Sequence, residues 1–285
     1  RSADPWFVGV TLAYGPDGGV FVSDFSDTGE CHHTRNTRKH TGRIFKITYG
    51  KPEPWKGDIG KLKNIELAKL QLHDNDWFVR HARRVLHERL DYSRKIWSPF
   101  SPDLEKNHAA WRGHRANWFH EADAALKIQL SGHESVPKRL RALWALYVSE
   151  GIEEADLIDL LRNSDEYVRS WAVQLLMNDI RLTEAGVAML TEMARDEESP
   201  LVRLYLASAA QRVPVTMRAP LLKVLLARVG DANDPNLPLM YWYAAEPVVA
   251  ADSKQAVQLL VACEIPKLRQ FITRRMAVKK FSSGE

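Results

Sequence analysis

The pentapeptide Asp76-Trp77-Phe78-Val79-Arg80 recurs as Asp165-Glu166-Tyr167-Val168-Arg169 and again as Ser199-Pro200-Leu201-Val202-Arg203. A capping residue, then a valine three positions on, then an arginine, is one layout used three times. Arg203 follows Arg169 by 34 positions, and Arg269 follows Arg203 by 66, close to two such units. A period of this size marks a protein built from repeated helical pairs. Each residue of the motif then has a task. The Asp or Ser caps the second helix of a pair, the Val enters the seam between helices, and the Arg lies along the surface, able to pair with acidic groups of the adjacent repeat. Residues 136–147 (VPKRLRALWALY) fit as a unit just ahead of the Asp165 copy. The spacing between Arg80 and Arg141 is irregular and reads as a degenerate or inserted repeat. No pair buries its apolar face alone, so neighbouring pairs must stack.

Working outward, helical spacing of apolar residues and capping signals place helices at 65–72, 76–90, 116–130, 136–149, 155–162, 167–178, 220–229, 237–251, 253–263 and 267–276. Ser101-Pro102 and Ser199-Pro200 each supply an N-cap followed by proline in the first turn, opening further helices. The first fifty residues differ. Residues 7–14 (FVGVTLAY), 20–24 (VFVSD) and 42–49 (GRIFKITY) read as strands, the first two joined by the turn Gly15-Pro16-Asp17-Gly18-Gly19. Such a sheet is marginal alone in water, so it is expected to dock on the first helices through Trp6, Phe7 or Trp55. The stretch 50–60, with two prolines and three glycines, reads as a linker. The expected organisation is a β segment over 1–50, a linker over 51–64 and a helical repeat domain over 65–285. The helical part resembles HEAT and PBS-lyase-type repeats in the layout its three motif copies share, so the expected fold class is mainly α, a HEAT-like α-α superhelix with a small N-terminal antiparallel sheet of about three strands.

Bulk properties narrow the function classes. The chain has 285 residues, 45% hydrophobic and 27% charged, ordinary for a globular protein. Its 40 basic against 36 acidic residues leave a net charge of +4, which is not the footprint of a dedicated nucleic-acid binder. Two cysteines, Cys31 and Cys263, exclude a disulfide framework. No run of about 18 apolar residues offers a membrane span. The start, Arg1-Ser2-Ala3-Asp4-Pro5-Trp6, carries no initiating Met and reads as a cut from something longer.

Residues 13–24 (AYGPDGGVFVSD) and 42–47 (GRIFKI) resemble the final blade of a β-propeller of the quinoprotein sugar dehydrogenase type. With residues 26–32, 141–146, 202–208 and 240–247, nearly the full length is similar to the middle of multidomain bacterial proteins described as membrane-bound dehydrogenases, which combine a propeller, a HEAT-like region and a C-terminal c-type cytochrome. The resemblance implies a periplasmic or exported location and a redox parent protein. This chain departs from that pattern. Neither Cys31 nor Cys263 sits in the Cys-x-x-Cys-His that a c-type haem needs, and one blade is not a propeller. The chain is therefore expected to carry no cofactor and no catalytic residue of its own.

Three stretches hold chemically capable side chains. The loop 24–40 contains Asp24, Asp27, Glu30, Cys31, His32, His33 and His40, a mixture able to ligate a transition metal through Asp27, Glu30, Cys31 and His32, though at no standard spacing. Its alternative is a polar loop whose side chains cap turns. Residues 80–89 carry Arg80, His81, Arg83, Arg84, His87 and Arg89. They read as an anion or nucleic-acid surface, with Arg80 and Arg84 as the candidate partner contacts, or as a solvated helix face. In 237–249, Trp242, Tyr243 and Glu246 can line a groove near Arg274 and Arg275, or seal the end of the helical stack. The function expected is a non-catalytic scaffold whose partner is a protein or another domain of a dehydrogenase-like parent. The alternative is a metal-binding or redox-associated site in the 24–40 loop.

Overall fold

A computed structural model describes residues 7–25, 42–97, 104–179 and 184–282. These form three strands and twelve α-helices, divided into two compact units: Arg1–His133 with Arg141–Gly151, and Glu134–Leu140 with Ile152–Glu285. The division falls inside one helix.

The first unit opens with β1 (Gly9–Tyr14), β2 (Val20–Asp24) and β3 (Arg43–Ile47), an antiparallel sheet in that order. Gly18 closes the first turn at φ 77°, a backbone conformation that glycine adopts without a Cβ penalty. A bulge between Gly9 and Thr11 interrupts the first ladder. Leu12, Val22 and Phe45 share one column of the sheet, yet only Val22 is buried; Val10, Leu12, Ile44 and Ile47 stay exposed.

The helices of this unit are α1 (Asn64–Lys69), α2 (Asp76–Trp97), α3 (Leu104–Gly132) and the later part of α4 (Val136–Val148). Val79, Ala82, Leu86 and Leu90 form the buried stripe of α2, and Phe119, Ala122 and Leu126 that of α3. α1 packs on both. α3 is a single helix from Leu104 across Gly113, where separate helices are expected after Ser101-Pro102 and over 116–130. Gly113 weakens a helix only by its entropy, and neither a cap nor a proline accompanies it to end one.

The sheet meets the helices as expected, through different residues. Asn75 Nδ2 donates to the carbonyl oxygens of Gly15 (3.0 Å) and Pro16 (3.1 Å), and the Tyr14 hydroxyl donates to Asp76 (2.9 Å). Of the residues named from the sequence, Trp55 packs edge-on against Trp77 and Phe78. Phe7 packs instead within the sheet on Phe45, and Trp6 lies outside the described residues. Asp76 does not cap α2. Asn75 does, accepting from the Trp77 N–H at 2.9 Å, which frees the Asp76 carboxylate for other partners.

The second unit comprises α5 (Glu154–Leu160), α6 (Glu166–Asp179), α7 (Glu184–Asp196), α8 (Pro200–Arg212), α9 (Ala219–Leu226), α10 (Leu237–Ala251), α11 (Ser253–Ala262) and α12 (Pro266–Ser282). α6 packs on α8, α8 on α10 and α10 on α12; alongside, α7 packs on α9 and α9 on α11. The caps are those the sequence calls for. Asp165 accepts from the Tyr167 and Val168 amides, and Ser199 from that of Val202, with Pro200 in the first turn. The motif valines Val79, Val168 and Val202 are fully buried. α7 has no counterpart in the sequence reading.

Candidate functional site

Two of the motif arginines, Arg169 and Arg203, turn inward, whereas Arg80 lies at the surface as expected. Arg169 makes a two-pronged ion pair with Glu197, Nε and Nη2 each donating at 2.8 Å, while its Nη1 donates to the Asn163 and Ser164 carbonyls. Arg203 repeats the arrangement one unit later. It grips Asp231 through Nε and Nη2, and its Nη1 donates to the carbonyls of Glu197 and Glu198. Arg269 likewise donates to the Leu260 and Cys263 carbonyls. Arg169 and Arg203 therefore satisfy carbonyls in the turn that leads into their own helices, and Arg269 those at the end of α11. Arg169 and Arg203 also reach an acid 28 positions ahead. Arg169 and Arg203 are drawn inward because a planar guanidinium has enough donors to satisfy a carboxylate and two carbonyls at once; Arg269, without an acid among the described residues, stays exposed.

Burial and the hydrogen bond to Asp231 push the Tyr241 phenol far above its ordinary range, so Tyr241 stays a neutral donor to Asp231 at 2.7 Å. Burial alone would raise the Glu197 carboxyl. Hydrogen bonds from Arg169 and the Ser199 amide, with the charges of Arg169 and Arg203, hold it below the usual carboxylate range instead. A carboxyl lowered on folding stabilises above its unfolded value, about 4.3, and loses that contribution as pH falls through the folded value. The urea midpoint of the second unit should thus drop as pH is lowered from about 5 toward 3. Glu197→Gln should flatten that drop; an unchanged pH profile in the variant would refute the assignment.

On the same layer of helices runs a line of aromatic residues. Trp171 on α6 and Tyr205 on α8 lie 6.5 Å apart between ring centroids, and Trp242 on α10 meets Phe271 on α12 at 5.4 Å. Between α8 and α10 opens a groove of about 520 Å³, lined by Gln174, Leu204, Tyr205, Leu239, Met240 and Tyr243 among others. The residues read from the sequence separate here. Tyr243 lines the groove and is about half exposed. Trp242 turns toward Phe271, and Glu246 accepts from Arg275 at 2.6 Å. Arg274 is exposed.

The basic helix α2 separates in the same way. Arg84 pairs with Glu88 one turn on, at the surface. Arg89 donates to Asn64, Gly60 and Leu62 and so fixes the linker. His81 stacks on Trp77, and His87 meets the Val148 carbonyl. Arg80 pairs with Asp76 and lies over the Tyr14 ring. Arg83 faces Trp144.

Asp27, Glu30, Cys31, His32, His33 and His40 lie outside the described residues. Asp24, the described end of that loop, is buried and taken up structurally: it accepts from the Val8 amide (2.9 Å) and Arg43 Nε (2.7 Å). Among the described residues no three His, Cys, Asp or Glu side chains converge as metal ligands, and no helix is long and apolar enough to cross a membrane. Cys263 is buried, and burial raises its thiol above the ordinary range.

No protein-family model, curated protein or solved structure matches this chain. The site must therefore be read from its own chemistry. Sequence reasoning missed Asp231 and Glu197 as clamp acceptors. Their signal was available: two acids 34 positions apart, each 28 beyond a motif arginine.

Proposed function

We propose that the helical part is a HEAT-type repeat scaffold, without catalysis of its own, that docks other domains of an exported dehydrogenase-like protein on the face formed by α6, α8 and α10. The observation that carries the reading is the repetition of one arginine device at Arg169, Arg203 and Arg269, together with an open groove lined by Tyr205, Met240 and Tyr243. Aromatic and methionine side chains on rigid helices are suited to contacts with another polypeptide.

The coding sequence on either side is the direct test. A propeller upstream and a Cys-x-x-Cys-His segment downstream are the expected neighbours. In the longer product, amide exchange should slow across residues 204–208 and 239–243 relative to the present chain. Equal exchange rates on that face in both proteins would reject the docking role.

A further inference from the structure

Arg83 stands apart from the other inward-facing arginines. Arg203 has Asp231 and two carbonyls, Arg115 has Asp123 and the Ser149 carbonyl, and Arg218 has the carbonyls of Gln211, Val213 and Ala244. Arg83 has no hydrogen-bond acceptor among the described residues; its Nη1 is out of solvent and unpartnered. The guanidinium lies 5.2 Å over the Trp144 ring, which orients the plane without satisfying a single N–H. A desolvated donor without an acceptor is costly, so the arrangement is incomplete as it stands.

Its surroundings define what would complete it. Asp76, Arg80 and Arg83 share a face of α2 and look toward Arg141 and Trp144 of α4. Among the described residues Asp76 is the one carboxylate acting on this group, and it is already engaged: it accepts from Tyr14 (2.9 Å), Arg80 Nε (3.1 Å) and Arg141 Nη2 (3.2 Å). Arg141 also donates to the His73 carbonyl at 3.1 Å. Burial lowers the Arg83 pKa; Asp76 partly offsets this, and the like charges of Arg141 and Arg80 add to it. Three guanidinium groups against one carboxylate leave two positive charges.

We propose that Arg83, flanked by Arg80 and Arg141, binds a phosphate dianion, free or as a monoester. A dianion matches the excess charge, and its oxygens can accept from the Arg83 fork and from donors of the flanking arginines together. This site goes beyond the docking role and does not depend on it.

The test uses the whole chain in phosphate-free buffer at constant ionic strength. Inorganic phosphate is titrated in one arm and O-phosphoserine in the other, with chloride as control, following the melting temperature and binding heat. Saturable binding is expected in at least one arm, and the tighter arm identifies the source. Arg83→Met keeps the aliphatic stem beside Trp144 and should weaken binding about ten-fold or more. Arg83→Lys, a point charge without the fork, tests the same loss if the Met variant does not fold. Arg195→Met, at an exposed position of α7, should leave affinity unchanged. In the absence of phosphate, Arg83→Met should melt higher than the parent, because it removes an unpaired desolvated charge; a structural arginine would give the opposite sign. A phosphate response equal to that of chloride, or unchanged affinity in both Arg83 variants, would overturn the proposal.

Discussion

Asp231→Ala should cost about 3–5 kcal/mol, the range for breaking a buried ion pair by removing one partner. Both side chains of the pair are at least nine-tenths buried: that of Arg203 keeps 9% of its exposure and that of Asp231 4%. The substitution strands a guanidinium, leaving it only the Glu197 and Glu198 carbonyls, and deprives the Tyr241 hydroxyl of its acceptor. The cost lies in the stranded charge rather than in attraction lost, so a second substitution should recover much of it. Arg203→Met combined with Asp231→Leu removes both charges at similar volume and should be markedly more stable than Asp231→Ala alone. Tyr241→Phe removes only one donor to a carboxylate that Arg203 still satisfies and should cost about 1 kcal/mol. Urea denaturation of the four proteins checks the series. A loss below about 1 kcal/mol for Asp231→Ala would mean the pair behaves like an exposed salt bridge, and the clamp would not be a structural element.

Phe119→Ala should cost about 3–5 kcal/mol in the first unit. Phe119 is fully buried on α3, the helix on which α1 packs. Two polar ties hold those helices together, Asn64 Nδ2 to the Trp118 carbonyl and Gln129 Nε2 to the Ala68 carbonyl, so the walls cannot easily close on a phenyl-sized gap. The Arg115 guanidinium lies 4.9 Å over the same ring and would face the gap. Phe119→Leu, which fills more of the space, should lose distinctly less. His120→Ala, on the exposed side of the next position, should stay within about 0.5 kcal/mol of the parent. Equal urea midpoints for Phe119→Ala and His120→Ala would contradict the packing.

What the sequence disclosed and withheld follows from which interactions are local. Caps and seams are local, so Asp165, Ser199 and the buried valines were readable from a five-residue motif. The helix α7 was not, because its apolar face is built from Val187, Leu190 and Ala194 with Thr191 turned back to the Val187 carbonyl, and Gly186 stands near its start. Asp231 was hidden in a stretch whose Gly, Asp, Asn and Pro composition reads as a turn; only Arg203 and Tyr241 explain its burial. Within the basic helix all the arginines look alike. What distinguishes Arg83 is Trp144, more than sixty positions away. The metal-ligand reading of Asp27, Glu30, Cys31 and His32 falls on residues outside those described.

Glu197 and Asp231 are each shared. Glu197 takes Arg169 on its carboxylate and Arg203 on its carbonyl, while Asp231 takes Arg203 and Tyr241 on one carboxylate. The links therefore run without a break from α6 to α10. Loosening α8 frees the partners of both its neighbours in the same event, so an opening there propagates in both directions and cannot remain a local excursion. Such nearest-neighbour coupling makes α6 to α10 one cooperative block, in which the slowest-exchanging amides of α6, α8 and α10 open with a common free energy rather than fraying inward helix by helix.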